Sequence, residues 1–432
     1  MTNSIIYSFV ASLLLGFGSA APVTEEKRAA QVPAASHVLK VNRNMASRPG
    51  AVLSDRFRKF RAVADSPATA PAGVGTAVCA QHQVEYLIDV KAGGNNFSLI
   101  IDTGSSDTWF VKNGFQCLDT YHRSVGLSYC NFGPTFKGSF PGGQITEQHF
   151  NITYGSANGP FLNGQMGYSD ITVAGVTIPK QQIALATIGA WNGDGISSGI
   201  LGLGLPGLTE AFTGNAPAND GLQNMVTYAP VVTTVSKQLG SGIFSLGLSR
   251  NASQSFLALG GVPQDVKVGP YATTPIQKLG KRLGGSDYFY YTMQPTRMVW
   301  NSSTLNGTAS PSPQVIVDSG TTLNLLPYDM ARSINAQYTP HAVLVPEQGG
   351  WFVPCSAVPP SLGVEIGGQM IWTDPANMIL PEVKDPSTGY CATGIGAVDS
   401  APYILGDVFM QGLVSIFDVG DKMEMKFAKR LP

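Results

Sequence analysis

The chain has 432 residues, 43% of them hydrophobic, enough to bury a core larger than one small domain requires. Only 13% are charged and the formal net charge is −1, which leaves no basic footprint for nucleic acid. The 50 glycines and 29 prolines lack a collagen-like period and lie between short β-branched runs, pointing to many turns and a mainly β fold.

The run Ile5 to Phe17 is apolar, too short to span a bilayer, and followed by Gly18, Ser19, Ala20 and Ala21. It reads as a secretory signal peptide over residues 1–21, although no Lys or Arg precedes it. No second long apolar run follows and the C-terminus "KFAKRLP" carries no anchor signal, so a soluble, monomeric product without a membrane anchor is expected. Its destination is extracellular, with the vacuole as the other option. Residues 22–76 form a propeptide and linker in this reading. From Pro22 to Asp65 nine basic residues face four acids, a charge of +5, whereas the remainder from Ser66 carries −6. "DSPATAPAGVG" separates the two. A basic pre-segment joined to an acidic body fits a propeptide lying on an acidic cleft.

From Ala77 onward short strands alternate with turns: "VEYLIDVKA", "FSLIID", "SDITVAGVTI", "GIFSLGL", "SFLALGG", "GVEIGGQMIW" and "LVSIFDV". The best helical candidate is "PYDMARSINAQY" after Leu326. Two stretches repeat. "LIIDTGSS" (Leu99 to Ser106) and "VIVDSGTT" (Val315 to Thr322) both run an apolar strand into Asp-hydroxyl-Gly-hydroxyl, with aspartates 216 positions apart. Each is followed at a distance by an apolar strand ending in glycine, "GILG" at Gly199 to Gly202 and "YILG" at Tyr403 to Gly406. A duplicated lobe is the expectation, residues 77–265 and 266–432.

An aspartate at the end of an apolar strand is costly to bury unless it is paired or hydrogen-bonded. Gly104 and Gly320, two residues on, free the backbone for a tight turn and close approach. Thr103, Ser105, Ser319 and Thr321 can donate to a carboxylate or across to the other copy. Brought together, two such carboxyls cannot both ionise easily. They share a proton, which supplies a general base for water and a general acid for the leaving group. A single D-x-G is weak evidence, since Asp418-Val419-Gly420 also matches and reads as an ordinary turn.

With "IDTGSSDTWF", "ITYGSANG", "SGILGLG", "VDSGTTLNLLP" and "YILGDVFMQGLVSIFD", the chain from Ala77 to Pro432 resembles the pepsin family of bilobal aspartic endopeptidases. Splitting of two carboxyl pKa values is a known property of that family's dyad. The resemblance implies two similar β-barrel-like lobes with the active-site cleft between them, no cofactor, and protein or peptide substrates. It implies that Asp102 and Asp318 are catalytic, that Ser105 and Thr321 bond their outer oxygens, and that Thr103 and Ser319 tie the corners together. Tyr154 matches the tyrosine of the β-hairpin flap and Trp109 its hydrogen-bonding partner. Gly155 and Ser156 then lie at the flap tip and Gly320 on the opposite wall. Departures are DSG in the second corner, Ser198 where relatives often have Asp, and a long stretch from Val111 to Phe150. The rival within the fold is a catalytically silent binding or inhibitory protein, which typically loses an aspartate or the flap tyrosine.

Four of the five cysteines fall into local pairs, Cys117 with Cys130 and Cys355 with Cys391, though spacing alone leaves other pairings open and Cys79 is left over. Asn96, Asn151, Asn251, Asn301 and Asn306 head N-x-S/T sites. "GISSG" (Gly195 to Gly199) matches a nucleophile elbow at Ser197 but lacks the strand-before, helix-after setting. "GLGLPG" (Gly202 to Gly207) matches G-x-G-x-x-G outside any βαβ unit. With no H-E-x-x-H, no C-x-x-C and scattered histidines, no metal site is expected.

Overall fold

The computed structural model describes residues 32–47, 82–119, 121–154, 160–279, 288–301, 306–346 and 348–432. The signal peptide, most of the propeptide, Cys79, and the flap-tip residues Gly155 and Ser156 lie outside the described residues. The fold is mainly β, and Pro33–Pro432 forms one compact unit.

The first half builds β1 (His37–Lys40), β2 (Asn42–Ser47), β3 (His82–Ala92), β4 (Asn95–Asp102), β5 (Thr108–Cys117), β6 (Gln144–Thr153), β7 (Phe161–Val173), β8 (Val176–Ala190) and β9 (Gly199–Gly202). After them come β10 (Ala211–Thr213), β11 (Met225–Val226), β12 (Ile243–Gly247), β13 (Phe256–Leu259) and β14 (Ala272–Pro275). A ten-stranded sheet runs in the order β11-β10-β6-β7-β8-β5-β9-β4-β3-β2, and an extra β7–β3 pairing folds it back on itself. Strands β3 and β4 are joined by Gly93-Gly94, both at positive φ (54° and 79°), the two-residue turn that matches strand twist.

The repeated sequence becomes a repeated topology. β4 pairs in parallel with β9, setting Ile100 beside Ile200 and Asp102 beside Gly202. In the second half Val315–Val317 pairs in parallel with Tyr403–Leu405, setting Val317 beside Leu405. Strands covered on both faces read as unbroken apolar runs, which is why "LII" and "VIV" are buried throughout. Tyr328–Asn335 is helical as expected, with Met330, Ala331 and Ile334 buried on one face and Asp329 in the first turn.

A six-stranded sheet joins strands from both halves: β1-β13-β12, then Leu413–Asp418, Glu424–Lys429 and β14. Phe417 stacks on Phe244 at 4.7 Å and meets Tyr291 at a tilt, 4.6 Å away. Tyr291 donates to Leu203 O at 2.6 Å, so one aromatic core spans the halves. The basic pre-segment also contributes structure. β1 lies on the edge of this sheet, β2 pairs with β3, and Arg43 bonds Glu382 at 2.5 Å. Both local cysteine pairs form disulfides, Cys117–Cys130 and Cys355–Cys391.

Candidate active site

The two D-x-G corners meet at the junction of the halves. Asp102 and Asp318 are 7% and 6% exposed, and each carboxyl lies against the glycine of the opposite corner. Each is held by the same local set. Gly104 N donates to Asp102 Oδ1 at 2.8 Å and Ser105 Oγ to Oδ2 at 2.5 Å. Gly320 N donates to Asp318 Oδ1 at 2.8 Å and Thr321 Oγ1 to Oδ2 at 2.6 Å.

Thr103 and Ser319 cross between the corners. Thr103 N donates to Ser319 Oγ (3.2 Å) and Ser319 N to Thr103 Oγ1 (2.9 Å). Thr103 Oγ1 then donates to Val317 O (3.1 Å) and Ser319 Oγ to Ile101 O (3.0 Å). These four buried bonds fix the carboxyls relative to one another. The glycines are required for the approach. A Cβ on Gly104 would stand 2.6 Å from Asp318 Cγ, and one on Gly320 would stand 2.5 Å from Asp102 Oδ1.

Burial first, and then the Asp102 charge, pushes the Asp318 carboxyl well above the usual carboxylate range; the Thr321 and Gly320 hydrogen bonds pull it partly back. The pair therefore keeps one proton where lone aspartates would have lost theirs.

Tyr154 ends the described part of the hairpin built from β6 and β7, and Trp109 Nε1 donates to its hydroxyl at 2.7 Å. Aromatic support that sequence reading missed surrounds this bond. Trp191 packs edge-on against Trp109 (5.2 Å) and Tyr154 (5.4 Å), and Phe132 stacks on Trp191 at 6.1 Å. The long stretch before the hairpin delivers Phe132, while its disulfide fastens that stretch to β5.

The two decoys resolve as structure. Ser197 Oγ donates to Asp194 at 2.8 Å, and strand β9 rather than a helix follows it. Pro206–Leu208 is a single turn of 3₁₀-helix. Asn96, Asn251, Asn301 and Asn306 are exposed, but Asn151 is half-buried and its side-chain nitrogen donates to Asp220 (2.8 Å) and Pro217 O (3.3 Å), leaving no hydrogen for a glycan to replace without losing a bond. Asp407, just beyond "YILG", was not singled out by sequence. It is fully buried, and neither carboxyl oxygen has a hydrogen-bond partner among the described residues. Burial first, then the Asp318 charge, raises its proton affinity well above the ordinary carboxylate range.

A bilobal β fold with an aspartate pair at the meeting of two equivalent corners defines the aspartic peptidase class. Residues 85–430 match the family model described as eukaryotic aspartyl protease, and the chain belongs to that family. It is 35% identical over 355 residues to a probable aspartic-type endopeptidase of Aspergillus fumigatus, covering 80% of this chain and 78% of the relative. It is 27% identical to gastricsin of Cavia porcellus over 76% of this chain and 75% of that one. In fold it is similar to the aspartic proteinase from Irpex lacteus, with a TM-score of 0.59 at 21% identity, covering 80% of this chain and 94% of that one.

Proposed function

We propose that this aspartic endopeptidase hydrolyses peptide bonds in acid through a water held between Asp102 and Asp318. The carrying observation is the pair itself: two buried carboxyls set against each other's corner, each fixed by a glycine N–H and a hydroxyl. The unprotonated member takes a proton from water as it attacks the scissile carbonyl; the shared proton goes to the oxygen that becomes anionic. The resulting diol collapses as a proton passes to the leaving nitrogen, with no covalent enzyme intermediate. An extended substrate lies in the cleft beneath Tyr154, held by backbone hydrogen bonds. No carboxylate occurs in Tyr154-Gly155-Ser156-Ala157, so large apolar residues are preferred over lysine before the cut bond.

The chain is made as a secreted, monomeric zymogen in this reading. Its pre-segment is basic, and Arg43 within it engages a carboxylate, Glu382, that Arg250 also contacts at 3.0 Å. Acidification protonates carboxylates near pH 4 in general while Lys and Arg stay charged, so such a leader loosens in acid, and Glu382, which its arginine partners hold below the ordinary range against the effect of burial, lets go last. The silent-binder alternative finds no support in a site that keeps both aspartates, both hydroxyls and Tyr154.

Digestion of a denatured protein across a pH series, with and without a pepstatin-type inhibitor, tests the activity. Inhibitor-sensitive cleavage confined to acid is expected, and cleavage insensitive to the inhibitor, or its absence at every pH, refutes it. Acidifying purified Asp102→Asn proenzyme alone and sequencing its N-terminus tests self-processing. The leader should remain, and its loss without another protease present would rule that route out.

A further inference from the structure

The segment 209–228, whose longest strand is three residues, adds β10 and β11 to the outer side of β6. β6 is the strand that leads into Tyr154. Phe212 pairs with His149 and Ala211 with Phe150, so the flap hairpin has a brace along its leading strand. Tyr228 and the Glu210 backbone N–H anchor the brace inward on buried Asp107, at 2.7 and 3.1 Å.

The contact between brace and flap is a polar chain. His149 Nδ1 lies 2.8 Å from Gly214 O, and Nε2 lies 2.7 Å from Asp220 Oδ2. The same Asp220 oxygen accepts from Asn151 Nδ2 at 2.8 Å, while Asp220 Oδ1 accepts from Asn224 at 2.9 Å. Asn151 Oδ1 in turn accepts from Asn163 on β7 at 2.6 Å, so the chain reaches both flap strands. The His149 and Asp220 side chains are only 10% and 5% exposed.

A carbonyl oxygen can only accept, so Nδ1 carries hydrogen and donates to Gly214 O. That bond fixes the ring's orientation and turns Nε2 onto the Asp220 carboxyl, with which it shares a hydrogen. Other charged groups packed nearby are few: exposed Glu147 on β6, Glu210 on β10, and Lys112 of β5, which bonds Gln165, the register partner of His149 on β7.

We propose that His149 and Asp220 are positioning residues for the flap: the His149 ring, bonded to Gly214 and Asp220, fastens the 209–228 brace to β6 and so holds Tyr154 over the aspartate pair. The proposal rests on Tyr154 being the flap residue.

The first test compares chains with and without His149→Gln. Amide exchange of 144–153 and 209–228 is followed on the full chain carrying Asp102→Asn, with His149 kept or replaced. Protection of both segments should fall by roughly three- to tenfold in the His149→Gln chain, the range one lost hydrogen bond gives. Equal protection overturns the proposal. In active enzyme, His149→Gln and Asp220→Ala should each raise KM for a peptide by a factor of about three to ten while kcat is kept. An unchanged KM, or a loss confined to kcat, would also overturn the proposal. Tyr154→Ala separates the underlying reading: unchanged kcat/KM in that variant removes the flap assignment, whatever the exchange result.

Discussion

The Asp102 and Asp318 corners carry the same hydrogen bonds to within 0.1 Å at each equivalent position, 2.8 Å from the glycine and 2.5 or 2.6 Å from the hydroxyl. Their surroundings differ. Behind Asp102 the chain continues from Gly202 into Leu203-Gly204, and the Trp109–Tyr154 bond lies on that side. Behind Asp318 it continues from Gly406 into Asp407-Val408, placing a further buried carboxyl close to the pair. A four-residue sequence is enough to fix how a carboxylate is held. How tightly it holds a proton depends on what the rest of each lobe packs around it.

The sharpest way to break the equivalence is to remove one carboxyl at a time. Asp102→Asn and Asp318→Asn should each lose at least about 10³-fold in kcat, since acid and base roles need both groups. Each variant should remain folded, because asparagine can keep the Gly N–H and hydroxyl contacts. Steady-state assays paired with near-UV circular dichroism check this. A folded Asp318→Asn enzyme with more than trace activity would end the dyad assignment.

The next effect tests whether the corners make room for each other. Each glycine clears space for the opposite lobe's carboxyl, so Gly104→Ala should displace Asp318 and Gly320→Ala should displace Asp102. A shift of about 1 Å at reacting groups costs on the order of 10²-fold, so both variants should fall by about that much in kcat. A large loss in one and none in the other would mean that only one corner is tightly packed.

What was legible in the sequence is what short motifs encode. The corners, the distant glycine strands that flank them and the 328–335 helix follow from residue identity and local period, and the pairing of Tyr154 with Trp109 follows from the family resemblance. The brace was not legible. β10 and β11 are three and two residues long, too short for any period to register, and His149 meets Asp220 across 71 positions with the long strands β7 and β8 between them. The pre-segment was legible as charge but not as strands, because "HVLKVN" alternates over too few residues to separate an edge strand from a linker. Asp407 stood within a quoted motif, yet its importance lies in burial, which spacing does not report.

Asp407 yields the smallest and most discriminating prediction. A carboxyl whose proton affinity is raised on folding binds a proton more tightly in the native than in the unfolded state. Its contribution to stability is complete below the unfolded value near 4 and is lost as pH rises towards the folded value. For Asp318 that window runs from about 4 to about 7, and Asp407 has a shift in the same direction. Each such group adds a downward slope of up to about 1.4 kcal/mol per pH unit within its window. Asp407→Asn keeps the shape and removes the ionisation, so its stability should fall less steeply above pH ~4 than that of wild type. Asp407→Leu copies the residue that follows the glycine in the first corner, Leu203, and should flatten the profile equally while removing an unbonded polar group. Calorimetric melting of the three proteins across the acid range measures the slopes directly. Parallel slopes would mean that Asp407 is ionised in the folded protein and that the second corner owes its proton affinity to the dyad alone. Divergent slopes would mean that one buried residue, absent from the first corner, makes the second lobe the more acid-dependent half.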